Sequence, residues 1–477
     1  MKSIVVIGGG ISGTAAAWTA NRQAREHHQQ GDRVEVVLLE RENEVGGKAF
    51  SVSEDDWMFE TGPLGYLNNE PIVDELVDDV GLRDDALEAD AAQSRRFVYL
   101  DDRLREVRTH PLGFLTSGVL SPRALLRAAR EPWVPKKTDG VEVEDDESAW
   151  DFAARRLGRD FADRLIHPMC LGIFAGDSKR LSLPASFPLM AELERDHGSL
   201  VRAQVSRARA RRRGELPPRR STLCSFRRGM QSLPRALSAR GEFATRTSTT
   251  VATVRRENGR GWRVVVEGGE TIPADAVVLA CEGWRAASML EDVAPTVSSS
   301  LREIRYPAVY VVALGYGPEA RASIPEGFGV LIPRDAGYRS LGVTCDGYLF
   351  PRNSDNRLLV RVLLGGTFDP DIAALDPEEV VALAQGEVTK LYGLSVEPLY
   401  RRARLWSKAI PQYELGHGAK VVKIEAELAR TPGLYLAGNA LYGPAFGKAA
   451  ARGAACGREA ISFLATSRFS TDLSRQR

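Results

Sequence analysis

The chain has 477 residues, 43% hydrophobic and 27% charged, with 64 basic against 63 acidic side chains. That is an ordinary globular balance in a chain long enough for two or three domains. A net charge of +1 provides no general attraction to nucleic acid, and the apolar content excludes disorder of the whole. No run of apolar residues reaches the roughly 18 needed to cross a bilayer. The N-terminus passes directly into a strand-like run, so a cytoplasmic protein is expected. Five widely spaced cysteines without a CxxC pair suggest neither a disulfide framework nor a metal site, and are expected to pack as small hydrophobes.

In chain order, Ser3 to Ile7 is a β-branched run suited to a buried parallel strand. It breaks into Gly8-Gly9-Gly10-Ile11-Ser12-Gly13 ahead of an alanine-rich helix. Val34 to Leu39 reads as a second buried strand ending in Glu40, after a polar stretch from Arg25 to Arg33, and Gly46-Gly47-Lys48 follows. From about Gln93 the sequence becomes mixed and helix-prone, including Pro111 to Arg130, with an acidic loop from Asp139 to Glu147. Between Arg202 and Arg228 stand ten arginines and one acid, Glu215, read as a solvated helix face plus loop or as a site for anionic lipid. Strands return at Trp262 to Glu267 and Ala274 to Ala280. Val309 to Leu314, Gly327 to Ile332 and Leu358 to Leu364 suggest an antiparallel sheet, and Gly433 to Asn439 supplies one last buried strand.

The pattern Gly8-x-Gly10-x-x-Gly13 between strand and helix has a mechanical reading. Its glycines allow a tight turn, close approach of a pyrophosphate and close helix–strand packing, while the helix N-terminus offers free N–H groups. Glu40 is placed to accept hydrogen bonds from a ribose. Gly46-Gly47-Lys48, Gly62-Pro63-Leu64 and Gly438-Asn439 offer further backbone approaches, which suits a buried FAD better than a nicotinamide cofactor that must come and go.

These residues resemble the flavin-dependent amine oxidase and phytoene desaturase superfamily and, within it, the oxygen-dependent protoporphyrinogen oxidases. The narrower resemblance rests on Ser94 to Tyr99, on Gly172 to Asp177 with Leu181-Ser182 and Phe187-Pro188, on Glu192 to Leu200, and on Ile410 to Tyr413 with Gly416-His417. It implies an α/β fold: a Rossmann-like FAD domain assembled from segments 1–92, 222–292 and 430–477, a helical, membrane-facing insertion at 93–221, and an antiparallel-sheet substrate domain at 293–429. The implied reaction takes six electrons from protoporphyrinogen IX in haem biosynthesis and yields three H2O2 from three O2, with coproporphyrinogen III as the alternative substrate. A diverged amine oxidase or desaturase-like paralogue and an inactive flavoprotein are the other readings.

By position, the resemblance implies substrate contacts at Arg96 (a propionate), Gly172, Leu331 and Leu363, and no dedicated catalytic side chain. Cofactor contacts are implied at Gly8, Gly10, Ser12, Gly13, Glu40, Arg41, Gly46, Gly47, Lys48, Gly62, Pro63, Leu64, Val251, Trp406, Gly438, Asn439, Phe446 and Lys448. Arg96 also reads as one of two solvated arginines, Leu331 and Leu363 as core, and Trp406 as either a wall by the flavin or core. His167, His197 and His417 are expected to pack or cap. The sequence departs from the family at Leu64-Gly65, Arg228 and Gly447-Lys448; Lys448 reads either as pointing to solvent or as turned inward, where it would raise the flavin potential. No metal and no nucleic acid are expected. An anionic surface on the inner face of the cell membrane is a candidate partner, and the oligomeric state stays open between monomer and homodimer.

Overall fold

The computed structural model describes residues 2–27, 33–89, 95–108, 111–137, 146–215, 222–257, 261–350, 352 and 357–466. Ser94, most of the acidic loop after Asp139, the stretch 216–221 inside the basic segment, and part of the Arg25 to Arg33 connection lie outside them. The helix Ile11–His27 carries the start of that connection.

A five-stranded parallel sheet takes Ala244–Arg246, Val34–Leu39, Lys2–Ile7, Ala276–Leu279 and Leu434–Leu436 in that order. Strands remote in sequence are neighbours here because the central runs Ile4 to Ile7 and Ala276–Leu279 are apolar on both faces and need cover on both. Helix Phe446–Thr466 closes one face by packing on Ile11–His27. The contact is close enough that a side chain on Gly453 or Gly457 would strike the backbone at Ser12 or Ala16.

The second sheet has seven strands: Tyr400–Trp406, Val309–Tyr316, Leu358–Gly365, Ser340–Thr344, Gly329–Leu331, Arg96–Leu100 and Arg103–Glu106. It is antiparallel except where Gly329–Leu331 meets Arg96–Leu100. One face buries Val312, Leu314, Val360, Val362 and Leu364 against helix Pro377–Tyr392. The other face looks into a large cavity. Helices between Pro111 and Arg212 cover the far side of that cavity.

Two expected boundaries need correction. Arg96–Glu106 is sheet and not part of the helical insertion, because Gly329–Leu331 offers it an open edge to pair with. Pro295–Arg302 and His417–Ala429, placed with the substrate sheet by sequence position, instead bury Val297, Leu301 and Ile424 with Val277, Leu279 and Leu434 of the parallel sheet. Four cysteines are buried and Cys281 is half-buried, and all five are unpaired. Burial lifts the Cys170 thiol to about 12, which suits packing better than chemistry.

Candidate active site

The cavity has a volume of about 1820 Å³ and runs from the glycine turn, across the seven-stranded sheet, into the helices. Its first end is the dinucleotide turn. The Gly8 N–H donates to Leu39 O and the Gly46 N–H to Gly9 O at 2.9 Å, which ties the two glycine turns together. The three fingerprint glycines have separate jobs. A Cβ at Gly13 would lie 1.8 Å from the Gly8 carbonyl oxygen, and one at Gly8 would meet the backbone at Ala280 and Cys281. Those two serve packing. A Cβ at Gly10 would find nothing closer than 3.9 Å, so here the chain leaves a cradle between Gly10 and Gly46-Gly47.

Glu40 is buried at the end of its strand, accepting the Gly9 N–H at 2.5 Å and the Glu42 N–H at 2.8 Å. Burial holds its carboxyl above the usual range, with the two N–H donors opposing. Lys48 provides the counterpart. Its Nζ is buried with no hydrogen-bond acceptor, 3.9 Å from Glu282 and 5.8 Å from the Tyr306 ring centre, and burial depresses its pKa. A buried cation without a hydrogen-bond acceptor, beside a glycine cradle and a helix N-terminus, fits the pyrophosphate of a dinucleotide. Ser12 Oγ accepts the Gly438 N–H at 2.8 Å and so locks the last strand's loop onto the same helix. Arg41, Gly62, Pro63, Leu64, Val251, Trp406, Asn439 and Phe446 also line the cavity.

Lys448 does not. Its ammonium pairs with Glu70 at 2.5 Å and its side chain is 52% exposed, because the first turn of helix Phe446–Thr466 turns that position toward helix Pro71–Asp79 and away from the cavity. Arg228 is likewise exposed, beside Asp85 at 3.3 Å and outside the lining. Leu64 packs with Leu349 and Phe350. His167 bonds Ser178 Oγ at 2.8 Å, and His417 bonds Leu441 O at 3.0 Å. Neither lines the cavity, and burial lowers both pKa values.

The second region is the sheet floor, which follows from register. One row across the strands reads Arg404, Val311, Leu363, Gly342, Leu331, Val98. The next reads Arg402, Ala313, Arg361, Thr344, Gly329, Arg96. Small residues in the middle keep the floor low, and guanidinium groups stand around it. Gly172 meets this floor from helix His167–Phe174: a Cβ there would come within 2.7 Å of Leu331 Cδ2. The four sequence-derived substrate residues therefore share one chamber. Arg96 lies over the Phe328 ring, and burial lowers its pKa.

Sequence reasoning missed Arg361. It is 6% exposed, donates from Nη1 to Gly62 O at 2.5 Å, and pairs through Nε with Asp346 at 3.2 Å. A second buried pair, Arg352 with Glu60 at 3.1 Å, lies behind it. Together with the bond from Trp406 Nε1 to Thr61 O at 2.6 Å, they pin the loop Glu60 to Leu64 between sheet and dinucleotide turn. A lone arginine inside the apolar run of Leu358–Gly365 was the available signal.

The family described as flavin containing amine oxidoreductase matches residues 11–454. The chain belongs to that family. FAD is its cofactor; the residues fitted to it are Gly10, Glu40, Gly46, Gly47 and Lys48. Over 474 residues the flavoprotein is 29% identical to "Protoporphyrinogen oxidase, chloroplastic" of Oryza sativa subsp. japonica, covering 93% of this chain and 85% of the relative. Over 476 residues it is 26% identical to "Coproporphyrinogen III oxidase" of Bacillus subtilis (strain 168), covering 97% and 98%. A crystal structure from Exiguobacterium sp. 255-15, assigned as a candidate protoporphyrinogen oxidase, shares the fold with a TM-score of 0.80 at 23% identity, covering 96% of this chain and 98% of that one. The superfamily resemblance and the α/β architecture expected from sequence are thereby borne out.

Proposed function

We propose that this flavoprotein is a porphyrinogen oxidase of haem biosynthesis, converting a colourless porphyrinogen to its porphyrin. One observation carries the reading. The acids lining the cavity, Glu40, Glu42, Glu44 and Glu282, belong to the dinucleotide end, whereas the lining of the sheet floor holds Arg96, Arg361 and Arg404 and no carboxylate. A flat floor with a cationic border suits a planar polyanion and repels the protonated amine that an amine oxidase takes. The relatives' names point the same way.

FAD, when bound, supplies the two-electron acceptor. The overall change removes six electrons and six protons from the macrocycle and passes them to three O2, giving three H2O2. The protein's part is to bind and orient: Arg96 grips a propionate with paired hydrogen bonds, Leu331 and Leu363 support the macrocycle, and Gly172 allows it to approach the helix backbone. No side chain is assigned as a proton-transfer group. Protoporphyrinogen IX is the substrate read from sequence, and coproporphyrinogen III is the second reading, favoured by the extra arginines. Anaerobic addition of each porphyrinogen to the purified protein tests the class. Bleaching of the flavin by a porphyrinogen and not by putrescine is the expected result, and oxygen uptake of three O2 per porphyrin checks the acceptor. Bleaching by the amine alone would overturn the reading.

Among the described residues no helix is long and apolar enough to cross a membrane. Helix Leu200–Arg212 exposes Val201 and Val205 among its arginines, which supports peripheral attachment to anionic lipid. Equal partitioning onto neutral and anionic vesicles would reject it.

A further inference from the structure

Strand Tyr400–Trp406 forms one edge of the sheet floor and carries three arginines, Arg401, Arg402 and Arg404, whose charges are unequally treated. Arg401 is paired with Glu397 at 3.0 Å and Arg402 with Glu54. Arg404 has no carboxylate within ion-pair distance among the described residues, lies over the Trp406 ring with Cζ 4.9 Å from its centre, and lines the cavity. Alternation explains the division. Arg401 points to the opposite face, while Arg402 and Arg404 share the cavity's face of the sheet. The hairpin Ser51–Glu54/Trp57–Glu60 covers the Arg402 end with Glu54, and Arg404, exposed at the sheet edge, lines the chamber with no acid beside it among the described residues.

Across the sheet, Arg404 opens the row that runs through Val311, Leu363, Gly342 and Leu331 to Val98, next to Arg96 on the same strand. Five strand spacings of about 4.8 Å put the backbones at the two ends roughly 24 Å apart. Two guanidinium groups reaching inward from those ends leave a gap on the scale of a tetrapyrrole with its substituents. Arg361, nearer the middle, is already held by Asp346, Thr344 and Gly62. The uncommitted cation at the second edge is therefore Arg404.

We propose that Arg404 is a specificity-determining residue that binds a carboxylate on the side of the macrocycle opposite Arg96, and that the site prefers a ring with carboxylates on both sides. This rests on the porphyrinogen reading above. Protoporphyrinogen IX carries its two propionates on adjacent rings and vinyl groups on the other side, so it satisfies one edge. Coproporphyrinogen III carries four propionates distributed around the ring and satisfies both.

The test uses the FAD-loaded full chain, with both porphyrinogens as substrates and coproporphyrin III and protoporphyrin IX as equilibrium probes. Wild type should show the higher kcat/KM with coproporphyrinogen III. Arg404→Gln should raise KM for that substrate about tenfold or more, as loss of a charge-assisted hydrogen-bond pair does. Its kcat should stay within about twofold, and KM for protoporphyrinogen IX should hardly move. Coproporphyrin III binding should weaken in parallel. Arg404→Lys should recover part of the loss, and Arg402→Gln, on the same strand but paired with Glu54, should be silent. An equal change for both substrates, a larger change for protoporphyrinogen IX, or no change overturns the proposal while leaving the porphyrinogen reading intact. Failure of both porphyrinogens to bleach wild-type flavin overturns both.

Discussion

At the dinucleotide end of the cavity, residues close in sequence do the work: Gly8, Gly10 and Gly13 lie within one turn, and Glu40 and Gly46-Gly47 follow the next strand. At the sheet floor no such run exists. Arg96, Arg361 and Arg404 come from three separate strands of one sheet and share a face through register alone. A local turn tolerates little substitution because backbone meets backbone. A floor assembled from side chains on alternate strand positions can change charge and size residue by residue. The first region is fit to hold one cofactor, the second to choose among substrates.

The largest expected effect tests the seam between them. Asp346→Ala leaves the buried Arg361 guanidinium without its carboxylate, and breaking a buried pair costs about 3–5 kcal/mol. Denaturant unfolding of the flavin-free protein should show it; a loss below about 1 kcal/mol would mean that the loop Glu60 to Leu64 is held by other bonds. Next come the glycines. Gly13→Ala must move backbone, with Gly8 O at 1.8 Å, and should destabilise by roughly 3 kcal/mol. Gly10→Val points into open space and should keep its folding transition while losing FAD. If both variants behaved alike, the division between packing and cradle would fail.

On the floor, Arg96→Ala should raise KM about tenfold, the equivalent of about 1.4 kcal/mol, with FAD content unchanged. An unaltered KM removes Arg96 from substrate binding. A smaller effect comes from Lys48. Its folded pKa is depressed, so between that value and the ordinary lysine value the unfolded chain holds more protons and stability of the flavin-free protein rises with pH. Comparing unfolding of flavin-free wild type and Lys48→Met across mildly alkaline pH should show the slope only in wild type, and FAD should suppress it by adding a pyrophosphate anion beside Lys48. The smallest concerns Lys448. A half-exposed pair with Glu70 contributes less than about 1 kcal/mol, and Lys448→Ala should shift the flavin midpoint potential by only a few millivolts. A drop of about 30 mV or more would restore the inward reading.

Much of this was legible in the chain. The strand–glycine–helix signature, Glu40 and the apolar strand Ala276–Leu279 far downstream are patterns that chemistry confines to short windows: a pyrophosphate needs consecutive free N–H groups, and a buried parallel strand needs an unbroken apolar run. Lys48 was legible as a cation near that turn, though not as one buried without a hydrogen-bond acceptor. Lys448 stayed open between solvent and cofactor because a helical position shows its spacing but not which neighbour its face meets, and the neighbour is Glu70, just ahead of helix Pro71–Asp79. Arg96 was found by motif, whereas its sheet partner Gly329 was not, since pairing between residues more than two hundred positions apart leaves no local trace.

The sequence by itself determined the parallel dinucleotide fold, the flavin and the apolar strands, because each depends on periodicity and turn chemistry within a few residues. Only the tertiary structure decided which arginines face the cavity and which face an acid. In a sheet one residue of register separates the two faces, and a guanidinium's role is set by whether a carboxylate such as Glu54, Glu397 or Asp346 arrives from another part of the chain.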